Sequence, residues 1–256
     1  MTITGHIITL NEAHNIAECI ASLQRVCDEI IVVDSGSSDA TVTIAKELGA
    51  TVITQPYLGD GPQKNVAAKH ARNDWLLSLD ADERLDEEAI DAIKRLALDD
   101  PTTAYGFWRK NFIGSRWIRH CGWYPDPNIR LYHRRHAAWS DALGHAKVEA
   151  PKTRLLGGHI LHYSYRNYEE LFFKANRFST RGAKMMAQKG KRAAPLSAPA
   201  HMAAAFLRKY LLQRGFLEGL DGLSIALSAS LNAYLKYAKL YEMQKEGQTS
   251  DSLWEQ

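Results

Sequence analysis

The stretch that most constrains the fold runs from residue 75 to residue 83. Four apolar residues and a serine lead directly into two aspartates one residue apart, Asp80 and Asp82, and a third acid follows, Glu83. A short apolar run bounded by polar residues is typical of a buried, parallel strand. Because ligands bind beyond the carboxyl ends of strands in an open α/β sheet, we expect Asp80 and Asp82 at the rim of a crevice. Two carboxylates there suit one Mg²⁺ or Mn²⁺ ion that also binds phosphate oxygens.

The alternative for these acids is a polar loop that opens the next helix. Asp86 would then be the N-cap, and Glu87 and Glu88 would favour the helix dipole. The position of the aspartate pair directly after a buried strand favours the crevice.

Strands and helices alternate along the first hundred residues. The patterns predict strands at 3–10, 29–34, 51–54 and 75–80, and helices at 15–24, 40–48, 63–71 and 86–96. This alternation predicts a Rossmann-like, doubly wound and mainly parallel α/β sheet. Further strands are predicted at 104–112, 129–133 and 158–165. From 168 to 246 the sequence is helical, with breaks near 190–199 and 215–222.

Acids follow three of the predicted strands: Glu12, Asp34, and the pair Asp80 and Asp82. A row of carboxylates without a fixed counter-charge is costly, so we expect a metal with a diphosphate to complete it. Asp34 either holds a base or ribose or only starts the Ser-Gly-Ser-Ser turn that follows it. Lys64 either reaches a phosphate from the first turn of its helix or is an exposed helix lysine. Neither the GxGxxG motif after the first strand nor the GxxxxGK[ST] motif is present.

The charge distribution is strongly asymmetric. Residues 1–100 hold 8 Lys and Arg against 18 Asp and Glu, whereas residues 151–215 hold 13 against 2. This asymmetry predicts a cation site in the first part and a basic surface that meets an anionic partner, with a solvated helix face as the alternative. We expect no nucleic acid, because no nucleic-acid module is recognisable. An anionic membrane surface fits better, and a second subunit in a homo-oligomer is a further candidate partner.

Cysteine usage and hydropathy bear on localisation. The chain has three cysteines, an odd number without disulfide or zinc spacing, which fits a reducing cytosol. The apolar run at 3–10 is too short for a secretory signal, and the uncharged run at 222–235 is too short for a membrane span. We expect a cytoplasmic protein, soluble or peripheral on the inner face of the inner membrane.

An ordered set of motifs carries a resemblance to a known family. The set consists of Thr9-Leu-Asn-Glu12, Ile31-Val-Val-Asp34-Ser-Gly-Ser-Ser-Asp39, Gln63-Lys-Asn65 and Leu79-Asp-Ala-Asp-Glu83. It resembles the family-2 inverting glycosyltransferases, which have a GT-A fold and use nucleotide-diphosphate sugars with Mg²⁺ or Mn²⁺. The second half, with Trp123-Tyr-Pro-Asp126-Pro-Asn-Ile-Arg130, His162-Tyr-Ser-Tyr-Arg166-Asn and Gly215-Phe-Leu-Glu-Gly219, is similar to the lipopolysaccharide inner-core β-1,4-glucosyltransferases. That subgroup transfers glucose from UDP-glucose to a heptose on the lipid A core.

The resemblance implies a domain organisation and a set of roles. A GT-A domain would cover residues 1–166, with a nucleotide-sugar half at 1–100 and an acceptor half at 101–166, and a basic helical extension would cover 167–256. Asp34 would bond the uracil, and Asp80 would contact the ribose. Asp82 would ligate the metal, with His162 as an additional ligand, although strand histidines are often only hydrogen-bonded. The other implied substrate-binding residues are Thr9, Asn11, Glu12, Lys64 and Arg130.

An inverting transfer also needs a general base that deprotonates the acceptor hydroxyl. In this fold the base is an acid downstream of the aspartate pair, often preceded by another acid and followed four residues later by arginine. Asp126 with Arg130 has that spacing, but Pro125 stands where the preceding acid would be. Asp141 and Glu149 are the rival candidates.

Three functional hypotheses follow. The first is a metal-dependent, inverting transferase that moves a hexose, expected to be glucose, from UDP to a lipopolysaccharide inner-core heptose. The second keeps the donor and changes the acceptor to a polyprenyl phosphate, a protein or a polysaccharide. The third is a non-catalytic protein that binds a nucleotide sugar or glycolipid on the same fold.

Overall fold

The computed structural model describes residues 2–141 and 146–245, and these form two compact units. The first unit is drawn from residues 2–110 and 125–163, and the second from residues 111–124 and 164–245. The domain boundary predicted after residue 166 stays a prediction.

The first unit begins with the predicted alternation of strands and helices. Its elements are β1 (Ile3–Thr9), α1 (Ile16–Gln24), β2 (Glu29–Asp34), α2 (Thr41–Glu47), β3 (Thr51–Thr54), α3 (Asp60–His70) and β4 (Trp75–Asp80). The four strands lie in the order β3-β2-β1-β4 and are parallel. The predicted Rossmann-like α/β alternation is confirmed.

The sheet continues beyond β4 with further strands, and β9 and β10 form a separate two-stranded sheet. The elements that follow are β5 (Glu83–Leu85), α4 (Glu87–Lys94), β6 (Thr103–Ile113), β7 (Arg116–Ile118), β8 (Pro127–His133), β9 (Ala138–Trp139), β10 (Val148–Glu149) and β11 (Lys152–Tyr165). From β4 the order is β8-β6-β11-β5, and β7 pairs with the end of β6. Because β8 is antiparallel to both β4 and β6, the complete sheet is mixed.

Helices cover both faces of the first unit's sheet. Successive residues of a strand point to opposite faces, so Ile7 packs against α1 and α4 on one side. Ile31 and Val33 of β2 pack against Ala67 of α3 on the other side. Asp86 is the N-cap of α4 and accepts a hydrogen bond from the Ala89 backbone N at 2.9 Å, which confirms the cap predicted from the sequence.

The second unit is mostly helical. It contains α5 (Tyr168–Gln188), α6 (Ser197–Leu207), a π-helical turn (Arg208–Leu212), a 3₁₀ turn (Gly215–Glu218) and α7 (Gly219–Lys245). The two predicted breaks in the helical region are therefore confirmed. The Lys239 ammonium of α7 is buried against α5, where it donates to Asn176 Oδ1, Ser179 Oγ and Thr180 Oγ1 at 2.7–2.9 Å.

Some element boundaries differ from those predicted. Helix α3 begins at Asp60 rather than at Gln63, because Pro62 is tolerated within the first turn of a helix. Strand β11 begins at Lys152 and continues through Gly158, which has a φ of +84°. A Cβ at Gly158 would lie 2.1 Å from the Ala89 backbone N, so glycine there marks a close approach to α4 and not the start of a strand.

His6 of β1 is a buried histidine in the first unit. Its Nε2 lies 3.2 Å from the Tyr132 hydroxyl, and its side chain is almost completely excluded from solvent. Burial, together with the nearby cations Lys64 and Arg130, lowers the pKa of His6 to about 3. The folded protein therefore holds His6 neutral at pH values where the unfolded chain binds a proton.

This difference makes stability depend on pH. As pH falls from about 6.5 towards 3, His6 should reduce the free energy of unfolding by about 1.4 kcal/mol per pH unit. Urea unfolding at a series of pH values should show a shallower dependence in His6→Gln than in the wild type. A wild-type slope in that variant, or an imidazolium signal for His6 in NMR spectra at pH 5, would contradict the expectation.

Candidate active site

The carboxyl ends of three parallel strands bring predicted site residues together. Thr9 at the end of β1 is the register partner of Asp34 at the end of β2. On the other side of β1, Ile8 pairs with Asp80 at the end of β4. Thr9, Asp34 and Asp80 therefore lie on adjacent strands at one edge of the first unit's sheet.

The loops after β1 and β2 are hydrogen-bonded to each other. Asn11, at a positive φ of 56°, receives a hydrogen bond at its Oδ1 from the Ser38 backbone N at 2.8 Å. The backbone N of Glu12 donates to Thr41 Oγ1 at 2.8 Å, and the Glu12 carboxylate accepts from Asn15. These bonds hold Asn11 and Glu12 beside the turn that Asp34 begins.

Asp34 is buried and organises this turn. Its Oδ2 accepts hydrogen bonds from the backbone N atoms of Gly36 and Ser37, both at 2.9 Å. Its Oδ1 accepts from the Ser37 hydroxyl at 2.5 Å. Of the two alternatives from the sequence, the turn role is confirmed, and a contact with a nucleoside stays a prediction.

Lys64 and Asp80 form an ion pair in which the lysine is buried and the aspartate is partly exposed. Lys64 Nζ lies 2.8 Å from Asp80 Oδ1, and the ammonium lies 4.1 Å from the centre of the Trp139 ring. The Lys64 side chain is 5% exposed, so the alternative of an exposed helix lysine is wrong. The expectation of carboxylates without a fixed counter-charge is also wrong for Asp80, since α3 supplies a cation that the sequence pattern could not locate.

The ion pair is one end of a longer series of alternating charges. Arg130 Nη2 lies 3.3 Å from Asp80 Oδ2 and 2.6 Å from Glu83 Oε1. Glu83 Oε1 also accepts from Arg109 Nη1 at 2.9 Å. Arg109 in turn donates from Nε and Nη2 to Asp126 Oδ2, at 2.9 and 2.8 Å. We call this series the charge chain; in order it comprises Lys64, Asp80, Arg130, Glu83, Arg109 and Asp126.

Burial and pairing together set the protonation of the charge chain. Burial alone raises the pKa of Asp80, but Lys64 and Arg130 outweigh it and hold that pKa well below its usual range. Burial lowers the pKa of Lys64, and Asp80 offsets part of this effect. Burial also lowers the pKa of Arg109, but Glu83 and Asp126 raise it above its usual value. Asp80 is therefore a permanent carboxylate at neutral pH.

Asp82 and His162 form a second feature of the same region. His162 Nε2 lies 3.3 Å from Asp82 Oδ2, and each side chain is about one-fifth exposed. The Tyr163 backbone N donates to the Asp82 carbonyl at 2.9 Å, which ties the aspartate pair to β11. A carboxylate oxygen and an imidazole nitrogen are both ligands for Mn²⁺, so the pair fits part of a metal shell. Within residues 2–141 and 146–245, no group of three or more His, Cys, Asp or Glu side chains is placed so that it could hold a metal ion.

The structure distinguishes Asp126 from the two rival candidates for the general base. Asp141 and Glu149 are exposed, whereas the Asp126 side chain is 31% exposed and is bound by Arg109.

The structure also places residues that sequence reasoning misassigned or missed. Arg130, predicted as a substrate contact from its spacing after Asp126, is buried and binds Asp80 and Glu83. Arg109 and Glu83 were not predicted as site residues. The only available signal was Glu83 itself, an acid next to the aspartate pair at the end of an apolar strand.

In a Rossmann-like sheet, the edge beyond the carboxyl ends of the strands, where these charged side chains lie, is where ligands bind. The family model of Glycosyl transferase family 2 matches residues 6–149, more than half of the chain. The chain belongs to this family and is a glycosyltransferase.

Individual relatives extend the similarity beyond that segment. An uncharacterized glycosyltransferase of Rickettsia prowazekii is 33% identical over 98% of this chain and 91% of its own length. The lipopolysaccharide core biosynthesis glycosyltransferase LpsC of Rhizobium meliloti is 27% identical over 94% of this chain and 93% of its own. Among solved structures, S. aureus TarS 1-349 in complex with UDP has a TM-score of 0.49 and 16% identity, with 97% of this chain and 92% of the other covered. The sequence similarity thus includes the helical part after residue 149.

The charge chain allows a stability prediction. Glu83→Gln should lower the free energy of unfolding by about 3–5 kcal/mol, because it leaves the buried Arg130 and the half-buried Arg109 without their shared carboxylate. Urea unfolding followed by tryptophan fluorescence would measure the loss. The matched control is Glu87→Gln, which removes an exposed carboxylate paired with Arg25 and should have little effect. Equal effects of the two substitutions would show that the charge chain does not stabilise the fold.

Proposed function

We propose that this glycosyltransferase is metal-dependent and inverting, and that it moves a hexose, glucose, from UDP-glucose to a heptose of the lipopolysaccharide inner core. The family membership supports the chemistry of the transfer. The similarity to LpsC over nearly the whole chain supports an acceptor in the lipopolysaccharide core. The observation that carries the proposal is the charge chain, which connects the predicted donor contact Asp80 to the predicted base Asp126.

The donor side of the proposal uses the carboxyl edge of the sheet. Asp34 would hydrogen-bond the uracil, with Thr9, Asn11 and Glu12 lining the nucleoside pocket. The Thr9 hydroxyl supports this role, because within the described residues it is buried without a hydrogen-bond partner. Asp80 would contact the ribose. Lys64, held against Asp80, would present positive charge towards the diphosphate.

Asp82 and His162 would hold the divalent cation, Mg²⁺ or Mn²⁺. Two protein ligands leave room for diphosphate oxygens and water, which is how such ions are commonly bound in nucleotide sites. When bound, the ion would neutralise negative charge on the leaving UDP.

Asp126 would act as the general base. An inverting transfer needs one carboxylate that takes the proton of the acceptor hydroxyl while this oxygen attacks the anomeric carbon. Arg109 donates to Oδ2, and Asn128 Nδ2 lies 3.1 Å from Oδ1. Arg109 would thereby fix the direction of the carboxylate. Arg130 would act through Asp80 and Glu83, by keeping both in place.

A different acceptor, such as a polyprenyl phosphate, a protein or a polysaccharide, is compatible with the same donor chemistry. A non-catalytic protein that binds the nucleotide sugar is a further alternative. A panel of UDP-sugars and GDP-sugars, tested with and without lipopolysaccharide core acceptors, separates these candidates. UDP release only with UDP-glucose and a heptose-bearing core would support the proposal, whereas binding of UDP without turnover would favour the non-catalytic alternative.

The base assignment predicts a selective defect. Asp126→Asn should lower kcat by about 100-fold to 10,000-fold while the affinity for UDP is unchanged, because the base touches the acceptor and not the donor. Transfer assays and calorimetric titration with UDP would measure the two quantities. Asp141→Asn and Glu149→Gln are the matched controls. Normal turnover in Asp126→Asn would show that Asp126 is not the general base, and Asp141 or Glu149 would then be the candidate.

The metal site predicts an equally specific result. Asp82→Ala should weaken Mn²⁺ binding in the presence of UDP by at least about 100-fold, and His162→Ala should weaken it less. Calorimetry of Mn²⁺ binding to the UDP complex reads this effect without turnover. Asp99→Ala, an exposed aspartate of the same unit, is the control. Unchanged Mn²⁺ affinity in Asp82→Ala would show that Asp82 is not a metal ligand.

A further inference from the structure

The second unit exposes a dense group of large apolar side chains between α6 and α7. Six such residues fall within fourteen positions, and each is between 49% and 79% exposed. We call them the apolar ridge: Leu207, Leu211, Leu212, Phe216, Leu217 and Leu220. Apolar residues scattered singly over a surface need no explanation, but a group of this density marks an interaction surface.

The backbone brings the segments of the ridge close together. Gly215 and Gly222 permit this packing, because a Cβ on Gly215 would lie 2.8 Å from the Lys209 carbonyl O. A Cβ on Gly222 would lie 1.8 Å from the Gly215 carbonyl O. The rings of Tyr210 and Phe216 are also in edge contact, with centres 6.4 Å apart. The π-helical turn, the 3₁₀ turn and the first turn of α7 therefore form one compact structure.

The acids of this region are turned away from the ridge. Glu218 Oε1 accepts from the backbone N atoms of Arg119 and His120, both at 2.9 Å. Asp221 binds the Arg116 guanidinium at 2.7 and 2.8 Å and the Tyr168 hydroxyl at 2.7 Å. Both carboxylates are thus neutralised by groups of the same unit.

Two cations of the region are exposed, whereas Lys209 donates to the Cys121 carbonyl O at 2.7 Å. Arg208 and Arg214 are exposed within the ridge segment itself. Residues 171–217 contain ten Lys and Arg and not a single Asp or Glu. An apolar surface flanked by cations alone is complementary to a surface that is negatively charged outside and apolar inside.

We propose that the apolar ridge inserts shallowly into an anionic lipid surface, with Arg208 and Arg214 at the level of the headgroups. No helix in the described residues is long and apolar enough to cross a membrane, so the contact is peripheral. The proposal does not depend on the transfer reaction, since neither the donor nor the acceptor takes part in it.

A second copy of the chain is a poorer occupant of the ridge. A two-fold interface places the same surface against itself, so each copy would bring Arg208 and Arg214 towards the same cations of its partner. Residues 171–217 offer no acid to compensate this repulsion. Anionic lipid avoids this repulsion, because its headgroups attract the two arginines, and its apolar region covers the leucines.

Sedimentation with vesicles tests the proposal. The full chain, without UDP-sugar or acceptor, should bind vesicles of phosphatidylcholine and phosphatidylglycerol and bind vesicles of phosphatidylcholine alone much more weakly. Leu212→Ser/Leu220→Ser should reduce partitioning into the anionic vesicles by at least about tenfold. The matched control is Leu58→Ser/Leu155→Ser, which changes two exposed leucines of the first unit and should bind as the wild type does.

A second variant, in which the two exposed arginines are replaced, distinguishes headgroup attraction from apolar insertion. Arg208→Gln/Arg214→Gln should reduce binding to the anionic vesicles by roughly thirtyfold, with far-UV circular dichroism confirming that the variant is folded. Absence of binding to anionic vesicles by the wild-type chain would overturn the proposal. A wild-type dimer in analytical ultracentrifugation that Leu212→Ser/Leu220→Ser dissociates would also overturn it, because the ridge would then be covered by a second copy.

Discussion

The charge chain is the interaction on which the site depends. Carboxylates and guanidinium groups are costly to bury unless each finds an opposite charge and good geometry. Glu83 satisfies two arginines at once, from β6 and β8, and is itself fully buried. Its Oε2 also accepts from the Asp80 backbone N at 3.1 Å, which closes the turn between β4 and β5. A shift of any one of these elements would leave a buried charge unpaired, so the charge chain holds them in register.

This arrangement gives the two aspartates of the motif different tasks. Asp80 is neutralised by Lys64 and Arg130 within the protein. Asp82 lies beside His162. In the proposed mechanism, Asp80 therefore serves the ribose side of the donor and Asp82 ligates the metal ion. In the second unit, Glu218 and Asp221 pair internally, whereas Arg208 and Arg214 are exposed beside the apolar ridge.

Much of the fold followed from local patterns, and the failures have specific causes. Strands β2, β3 and β4 have the predicted bounds. In β2 and β4 a short run of buried residues lies between more polar ones. Strands β5, β7, β9 and β10 were not predicted, since two or three residues carry no periodicity. Among the site residues, Asp34 and Asp80 were correctly expected at one edge of the sheet. Arg109 was missed because a cation in a strand is usually solvated, and its partner Glu83 is 26 residues away.

The sequence by itself determined the alternating α/β fold, the edge at which the acids gather and the family to which the chain belongs, because strand periodicity and motif order are local properties. Only the tertiary structure decided which cation meets which carboxylate. In the folded chain Lys64 pairs with Asp80, Arg130 pairs with Glu83, and Arg109 pairs with Asp126. The physical reason is that ion pairing depends on distances of a few ångströms between side chains on different strands, and spacing along the chain does not encode those distances.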